Sequence, residues 1–511
     1  MSKKIANAAI LITLITLLSK FTGFFRDIVL ANKYGTTVNS DAFIMAQSIV
    51  GVFTGLILSA LGTTFIPIMA DYLQKNKKQE TNNFLSVIYT ITLSLTIILC
   101  ILGFVYTSEL VNLFAPNFTT EAHVLTVQLT QILLPVIVLT AIVTLSSSKL
   151  QSHGSFLVPA TIGFPMNFIM IITMFFFTES FGISGVAVAF VLGTLLQIIL
   201  QYPFTKKLGY RFKVNFDINN EGLRKVGILI VPILIGSGIQ QINTMVNQIM
   251  ASGLEEGSIA ALNFSNRLSL FIIGLLSAAI VSVFYTSMSK YFSAGQDELF
   301  KRMLKNTINI SVIIILPASV GFIVLRLPIV KLIFERGMFD STASEMTAVA
   351  LLFYTIGLIG FLLRNVLSRA FYAIKDTKTA MINGSIAVIL NIIFSLVLAP
   401  YMGLGGLALA TSLSGIIGTL LLMFNLQNKI GAFGLKEIFY TFLKVSFLSV
   451  IMGFIVHYCY EFTYSLIPSN LLSVTLSILI GFLMYLVGII IFKIEEINIL
   501  KKIIDKRLSR S

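Results

Sequence analysis

Tryptophan is missing from this chain of 511 residues, and cysteine and histidine occur only two and three times. Two cysteines far apart in a sequence form neither a disulfide framework nor a zinc site. The histidines are also scattered, and the chain has no phosphate-binding Walker loop, so no catalytic constellation is recognisable. We therefore expect that the chain is not an enzyme and that it holds no resident metal or cofactor.

Charged residues are scarce too, at 11% of the chain, against about 25% in an ordinary soluble domain. Hydrophobic residues make up 56% of the chain, and the mean hydropathy is +0.93. They fall into fourteen apolar segments that reach the length needed to cross a bilayer, which is about 20 residues. The sequence therefore predicts an all-α polytopic membrane protein with fourteen transmembrane helices.

The loops between the predicted spans alternate in charge. One set, which includes both termini, is rich in lysine and arginine, whereas the other holds only Lys33, Lys331 and Arg336 as cations. The positive-inside rule then places both termini in the cytoplasm. Because the net charge of +14 belongs to this loop pattern, we do not expect a nucleic acid partner.

The sequence also repeats itself at an offset of about 220 residues. "GISGVAVAFVLGTLLQ" from Gly182 is matched by "GLGGLALATSLSGIIG" from Gly403, and "MNFIM" around Asn167 by "LNIIF" around Asn391. Two parallel six-helix repeats are typical of one class of transporter. We therefore predict an N-lobe over residues 1–215, a C-lobe over 216–430, and two further helices with a basic tail over 431–511.

Polar residues interrupt several predicted spans at helical spacing. In the first span the separations are three, four, three and four residues along the series Thr13, Thr16, Lys20, Gly23 and Asp27. This spacing puts the series on one helix face, and Ser19 and Arg26 lie beside it. Polar residues in later spans include Asp41, Asn247, Asn263, Arg267 and Arg364. Such groups are costly in lipid, so we expect them to face the bundle interior or a water-filled cavity.

Cations outnumber acids within the predicted spans. The acids are essentially Asp27 and Asp41, and the cations include Lys20, Arg26, Arg267 and Arg364. A cavity with surplus cations suits an anion, and both arginine and lysine bind phosphate well. A local pair between Arg26 and Asp27 is the alternative for Arg26, and snorkelling to the interface is the alternative for Arg364.

Several stretches resemble the lipid II flippases of the MurJ family. They include "SKFTGFFRDIVLANKYGTTVNSDAF", "FIPIMADY", "ALNFSNRL", "LIFERGMFD", "LSRAFYAIKDTKTA" and "GLGGLALATSLSGIIGTLLL". The resemblance runs from residue 1 to about 430 and is weaker in the last two helices. It implies two six-helix lobes in a V around a central cationic cavity, and a hydrophobic groove for a polyprenyl tail beside the last two helices.

The resemblance also assigns residues to the substrate. Essential arginines of the family fall on Arg26 and Arg267, a Ser–Arg pair on Ser19 and Lys20, and an acid on Asp41. Together with the polar pattern, this gives the predicted substrate-binding set of Ser19, Lys20, Arg26, Asp27, Asp41, Asn247, Asn263, Arg267 and Arg364.

This sequence departs from the family at several positions. Where the family has an arginine in the second helix, this chain has Thr54, and where the family has a nearby basic residue, it has Ser48. Where the family has an acid after the arginine of the eighth helix, this chain has Leu270. Some members bind sodium through acids on two helices. Here those positions are Asn247 and Ser395, while Asn391 and Thr411 match the family. These four residues are the alternative cation site, although both acids are gone.

The resemblance implies a flippase that moves undecaprenyl-pyrophosphate-linked peptidoglycan precursor (lipid II) across the bacterial cytoplasmic membrane. The movement would run from the inner to the outer leaflet by alternating access, for cell-wall synthesis. Expected partners are this lipid, the bilayer and the peptidoglycan-synthesis machinery. Alternatives left open are a flippase for another polyprenyl-linked glycan, such as a teichoic-acid, capsule or O-unit, a cation-coupled antiporter, and an envelope-assembly scaffold.

Overall fold

The computed structural model describes residues 3–75 and 77–492, without the side chains of residues 3–10, 278–283 and 285–287. Every regular element in these ranges is a helix. The eighteen helices of the described chain are α1 (Lys3–Tyr34), α2 (Val38–Gln74), α3 (Lys78–Val105), α4 (Thr107–Phe114), α5 (Thr120–Leu133), α6 (Pro135–Ser152), α7 (Leu157–Thr161), α8 (Gly163–Phe176), α9 (Thr178–Lys207), α10 (Glu221–Ala251), α11 (Ser258–Ser293), α12 (Asp297–Val324), α13 (Arg326–Phe334), α14 (Ser341–Ile356), α15 (Leu358–Ala373), α16 (Thr377–Ile430), α17 (Leu435–Leu466) and α18 (Asn470–Ile491).

Many of these helices are long and apolar enough to cross a membrane. Within the described residues, eleven helices have the length and the apolar composition of a membrane span. The number is twelve if α14 and α15, which meet at a bend of 43°, form one broken span. The prediction of an all-helical, multi-pass membrane protein is confirmed. The count of fourteen spans is not reached by this criterion of length and composition.

Two helices contain a glycine that breaks the regular backbone. Gly182 in α9 has φ 54° and ψ −151°, and Gly403 in α16 has φ 54° and ψ −131°. Glycine adopts positive φ readily because it has no Cβ, whereas other residues rarely do. The two halves of α16 fold back on each other, because Lys429 donates to Asp376 and Asn425 donates to Asn383. Gly403 therefore divides this 54-residue element into two antiparallel helices.

The chain divides by its contacts into two compact units. Unit 1 is residues Met1–Ala260 with Gly337–Phe339. In it α2 packs against α5, α6 and α10, while α8 packs against α1 and α9. Phe65, Met69 and Phe84 form the centre of one buried apolar cluster. Unit 1 therefore holds α1 and α2, on which most of the predicted site residues lie.

Unit 2 is residues Ala261–Arg336 with Asp340–Ser511, of which the structure describes the part up to residue 492. Here α17 packs against α12 and α18, and α15 packs against α16. Phe300, Leu362 and Val445 belong to its buried apolar core. The predicted repeat boundary at residues 215 and 216 stays a prediction, and the predicted basic tail beyond residue 492 lies outside the described residues.

Candidate substrate-binding site

Helix α1 has two chemically different faces. Its exposed large apolar side chains are Leu11, Leu14, Leu18, Phe21 and Phe25. Their separations of three and four residues put them on one face, opposite the polar series that starts at Thr13. Along that polar series the side chains change from exposed at Lys20 to buried at Asp27. One face of α1 thus suits lipid, and the other carries the groups proposed for the substrate.

Arg26 and Asp27 form a buried ion pair at the buried end of this polar face. The Nη2 and Nε atoms of Arg26 donate to Oδ1 of Asp27 at 2.7 and 3.1 Å, and the two residues are 8% and 6% exposed. Nη1 of Arg26 also donates to Oδ1 of Asn167 at 3.3 Å. The guanidinium group of Arg26 is therefore held between a carboxylate and an amide inside unit 1.

Asn167 on α8 links this pair to the rest of α1. Its Nδ2 atom donates to Oγ1 of Thr22 at 3.0 Å and to the backbone oxygen of Ser19 at 3.3 Å. Thr22 in turn donates to the same Ser19 oxygen at 2.8 Å. The side chain of Ser19 faces Gly163 at the start of α8, where a Cβ would lie 2.2 Å from the Ser19 hydroxyl oxygen. The close packing of α8 therefore fixes the rotation of α1.

Lys20 lies on the polar face of α1 and differs from Arg26. Its side chain is exposed, and it forms no ion pair or hydrogen bond with the described residues. A lysine ammonium carries three donors on a flexible stem and acts as a point charge towards phosphate. Among the predicted site residues of unit 1, Lys20 is thus the cation that is open to a ligand.

Asp41 in the first turn of α2 caps the start of α11. Its two carboxylate oxygens accept the backbone N–H groups of Gly257 at 2.7 Å and Ala260 at 2.8 Å, and the residue is 5% exposed. Glu256, just before α11, makes the reciprocal contact, because its Oε1 accepts a hydrogen bond from the backbone N–H of Val38 at the start of α2 at 3.0 Å. Each acid stabilises the positive end of the other helix. The structure thus gives Asp41 a capping role, and its predicted contact with the substrate stays a prediction.

The second helix also shows what replaces the cations of the family. The hydroxyl oxygen of Ser48 accepts a hydrogen bond from Nε2 of Gln248 on α10 at 2.9 Å. The hydroxyl of Thr54 donates to the backbone oxygen of Gly51 at 3.2 Å. Neutral hydrogen bonds within unit 1 therefore occupy the two positions where the family resemblance expects basic residues. Asn247, one residue before Gln248, is partly buried.

The remaining predicted site residues belong to unit 2. Asn263 and Arg267 lie one turn apart on α11, partly buried and exposed respectively. Arg364 on α15 is partly buried and packs against α16, where a Cβ on Gly384 would lie 3.3 Å from its Nη2 atom. The contact of Arg364 with α16 fixes its place inside unit 2.

The alternative cation site is brought together only in part. Nδ2 of Asn391 donates to Oγ1 of Thr411 at 3.2 Å, and Oδ1 of Asn391 is buried without a partner in the described chain. Ser395 is buried one turn after Asn391. Asn247 belongs to unit 1, whereas the other three residues belong to unit 2. The described residues contain no group of three histidines, cysteines or acids that could hold a metal.

Sequence reasoning missed Asn167 as a member of the site. The sequence marks Asn167 only as part of the internal repeat, yet this residue connects Arg26, Thr22 and Ser19. Its signal in the sequence is an amide within an otherwise apolar stretch, "GFPMNFIMII". A buried amide in a span needs hydrogen-bond partners from neighbouring helices.

These features define a class of protein. Within the described residues, eleven or twelve helices are long and apolar enough to cross a membrane. Arg26 and Asp27 are buried inside unit 1, while the exposed Lys20 lies on a polar helix face. This combination is typical of a membrane transporter, because intramembrane polar groups mark ligand pathways.

Comparison with known proteins gives the particular family. The family model "Lipid II flippase MurJ" matches residues 30–480. The probable lipid II flippase MurJ of Buchnera aphidicola subsp. Acyrthosiphon pisum (strain APS) is 31% identical over 455 residues, which are 87% of this chain and 89% of the relative. The chain therefore belongs to the MurJ family.

Solved structures agree with this assignment. A structure titled "Lipid II flippase MurJ, inward closed conformation" matches with a TM-score of 0.82 and 27% identity, covering 96% of this chain and 100% of that chain. An inward-facing multidrug resistance MATE transporter of the MOP superfamily matches with a TM-score of 0.70 and 16% identity, covering 83% of this chain and 98% of that chain. The second likeness shows a shared fold alone.

Proposed function

We propose that this chain moves lipid II from the inner to the outer leaflet of the bacterial cytoplasmic membrane for peptidoglycan synthesis. The observation that carries the proposal is the family match over residues 30–480. The exposed and unpaired ammonium group of Lys20 supports it, since the pyrophosphate of the substrate needs a cation. The proposed reaction is transport, with no covalent bond made or broken.

The proposed topology has fourteen spans with both termini in the cytoplasm. Fourteen follows when α1 is added to the twelve candidates and α16 is divided at Gly403. Each half of α16 then has a length that suits one bilayer. The orientation rests on the lysine- and arginine-rich loops, such as the one with Lys75, Lys77 and Lys78.

The two basic residues of the predicted site on α1, Lys20 and Arg26, have different proposed roles. Lys20 contacts the pyrophosphate directly, since its ammonium group is exposed and has no protein partner. Arg26 positions α1 through its contacts with Asp27 and Asn167, and Asp27 balances its positive charge. In unit 2, Arg267 and Arg364 are the proposed cations, each assigned from the family resemblance and the charge of its span.

The membrane potential is the proposed driving force. A pyrophosphate diester carries about two negative charges, and the cell interior is negative. Moving each charge outwards gains about 2.3 kcal/mol per 100 mV. The alternative cation site lacks both family acids, so the potential replaces a coupling cation in this proposal. Dissipating the potential with valinomycin, in a medium whose potassium concentration equals that of the cell interior, should stall export of the head group, and unchanged export would refute this drive.

A second candidate cargo is another polyprenyl-linked glycan. The observation that favours it is the neutral hydrogen bonding of Ser48 and Thr54, where the family resemblance expects cations. With fewer fixed charges, the head group would be selected differently. Binding of purified chain to polyprenyl diphosphates with peptidoglycan or teichoic-acid head groups separates the two cargoes.

The proposed function is tested by complementation of a strain depleted of its own lipid II flippase. The wild-type chain should restore growth, and Lys20→Gln should not. Lys33→Gln, which removes a lysine from the same helix outside the predicted site, is the matched control and should complement. Lys20→Arg should retain activity because it keeps the charge. Full complementation by a well-inserted Lys20→Gln chain would remove Lys20 from the mechanism, and failure of the wild-type chain would favour the second cargo.

A further inference from the structure

Unit 1 contains a cationic pocket away from the polar face of α1. It has a volume of about 370 Å³ and lies where the last turns of α6 and α9 meet the beginning of α3 and the segment 210–212. Its polar lining includes Tyr89, Lys149, Tyr202, Lys206, Tyr210 and Arg211. The volume falls in the range of ordinary small-molecule sites.

The lining carries three positive charges and no acid. Lys149, Lys206 and Arg211 line the pocket, and none of them forms an ion pair within the described chain. The ammonium groups of Lys149 and Lys206 lie 5.8 Å from the ring centroids of Tyr89 and Tyr202. Their position at helix C-termini is locally favourable but does not neutralise them. Three like charges around one cavity therefore create a positive potential that an anion would relieve.

An extended segment fixes one wall of this pocket. The backbone N–H groups of Arg211, Lys213 and Asn215 donate to side-chain oxygens of α3 at 2.7, 3.2 and 3.0 Å. The acceptors, in the same order, are Asn82, Ser86 and Thr90. Every second residue of an extended chain advances by about 6.6 Å, close to the 6 Å of four helical residues. This match holds Arg211 at the pocket.

The phenols of the pocket are also held in place. Nε2 of His153 lies 3.1 Å from the hydroxyl of Tyr210, and Nδ1 of His153 lies 2.9 Å from the backbone oxygen of Lys149. The hydroxyl of Tyr89 lies 3.4 Å from that of Ser146. The cations therefore surround a preformed cavity and are not scattered over a loose surface.

We propose that this pocket binds the phosphate group of an anionic ligand, either the headgroup of a lipid or free phosphate. Basic pockets between transmembrane helices on the cytoplasmic side commonly receive anionic headgroups, and the proposed topology places this pocket on that side. Tyr202 and Phe212 are exposed at its edge, as interfacial aromatics are. The site is distinct from the proposed transport site, so its test measures binding and not transport.

The decisive experiment is native mass spectrometry of the purified full chain titrated with dioleoylphosphatidylglycerol or dioleoylphosphatidylethanolamine. The threefold variant Lys149→Gln/Lys206→Gln/Arg211→Gln should lose affinity for the anionic lipid by about tenfold to a hundredfold, since each cation near such a headgroup contributes about fivefold. The matched control Lys290→Gln/Arg302→Gln/Lys305→Gln removes the same charge from unit 2. It should bind the anionic lipid as the wild type does, and binding by the threefold variant equal to wild type would overturn the proposal.

A second measurement leaves all the cations in place. Because the chain has no tryptophan, Phe212→Trp introduces a single indole at the pocket, where the Phe212 ring lies 6.2 Å from that of Tyr89. Its emission should change with phosphatidylglycerol nanodiscs but not with phosphatidylethanolamine nanodiscs. Titration with inorganic phosphate in detergent separates the two sources, since a response there shows that the phosphate group suffices. An emission that responds to neither anion would contradict the proposed site.

Discussion

Replacing Asp27 with asparagine keeps the shape of the side chain and removes the charge that faces Arg26. In the wild-type chain Nη2 and Nε of Arg26 share one carboxylate oxygen at 2.7 and 3.1 Å. After the substitution Arg26, which is only 8% exposed, keeps the amide oxygen of Asn167 at 3.3 Å and the sulfur of Met170 at 4.0 Å. A guanidinium group cannot lose its proton in a protein, so its charge stays buried.

Two effects of different size compete in this variant. Hydrogen bonds between helices inside membranes are worth only about 0.6–1.7 kcal/mol. Removing one partner of a buried ion pair costs about 3–5 kcal/mol, because an uncompensated charge remains. The charge effect is larger, and the asparagine oxygen still accepts one N–H. We therefore expect Asp27→Asn to destabilise unit 1 by about 3 kcal/mol.

The double variant Arg26→Gln/Asp27→Asn provides the internal comparison. It replaces the buried ion pair by two neutral amides, so no uncompensated charge remains buried. We expect the double variant to lie within about 1 kcal/mol of the wild type, so that the two substitutions are strongly coupled.

Thermal unfolding in detergent can be followed with a thiol-reactive dye. The chain has two free cysteines, Cys100 and Cys459, and both are partly buried. Asp27→Asn should expose them well below the wild-type temperature, and the double variant close to it. Unfolding of Asp27→Asn at the wild-type temperature would show that the carboxylate does not compensate Arg26. Transport by the stable double variant would then decide whether Arg26 only positions α1 or also contacts the substrate.

Three further substitutions test other contacts, the first two by the same unfolding assay. The third is followed by circular dichroism, because a thiol-reactive dye needs the thiolate, which is scarce at low pH. Asp41→Ala removes the acceptor of two buried N–H groups at the start of α11 and should cost about 2–4 kcal/mol; an unchanged melting temperature would contradict the capping role. Gly163→Ala places a Cβ 2.2 Å from the hydroxyl oxygen of Ser19, so it should lower the melting temperature, and Ser19→Ala in the same chain should restore it. Hydrogen bonding from Lys429 lowers the pKa of Asp376, at the start of α16, to about 2. Asp376→Asn should therefore destabilise the chain at pH 7, and progressively less as the pH falls from 4 towards 2. A difference in stability that does not depend on pH would contradict the pairing.

The sequence predicted the local chemistry of α1 better than its partners. The spacing of Lys20 and Asp27 placed both on one helix face, because helical periodicity is a local property. It could not show that Asn167, more than 140 residues away, holds Arg26. That contact depends on how α8 packs against α1, which tertiary structure decides. The alternative of a local pair between Arg26 and Asp27 is what the structure shows, with Asn167 added.

Asp41 illustrates a different limit. An acid inside a predicted span is expected to contact the substrate or an ion, because a charge without such a role is costly in lipid. The structure instead places its carboxylate on the backbone N–H groups of Gly257 and Ala260. The sequence did contain the cue for a helix start, in the glycine and serine at positions 257 and 258. The sequence could not show that Asp41 and the start of α11 lie in contact, because they are more than 200 residues apart.

The two kinked glycines connect the sequence repeat to the backbone. Gly182 and Gly403 begin the two matched stretches, and both have φ 54° with strongly negative ψ. A Cβ at either position would meet no atom within 4 Å, so glycine is required there by backbone conformation and not by lack of space. A duplication predicts this agreement, because a shared kink must keep its glycine while the neighbouring side chains diverge.

That divergence is visible at the matched asparagines. Asn167 takes an arginine and a threonine of α1 as partners, whereas Asn391 donates to Thr411 within α16 and leaves a buried oxygen without a partner in the described chain. The same residue type in the same place of the repeat thus stabilises a buried cation in unit 1 and an all-neutral contact in unit 2. If the units arose by duplication, their backbones kept the kink while the asparagine acquired a charged partner in only one of them. The buried cation beside the matched asparagine is therefore a feature of unit 1 and not of the repeated fold.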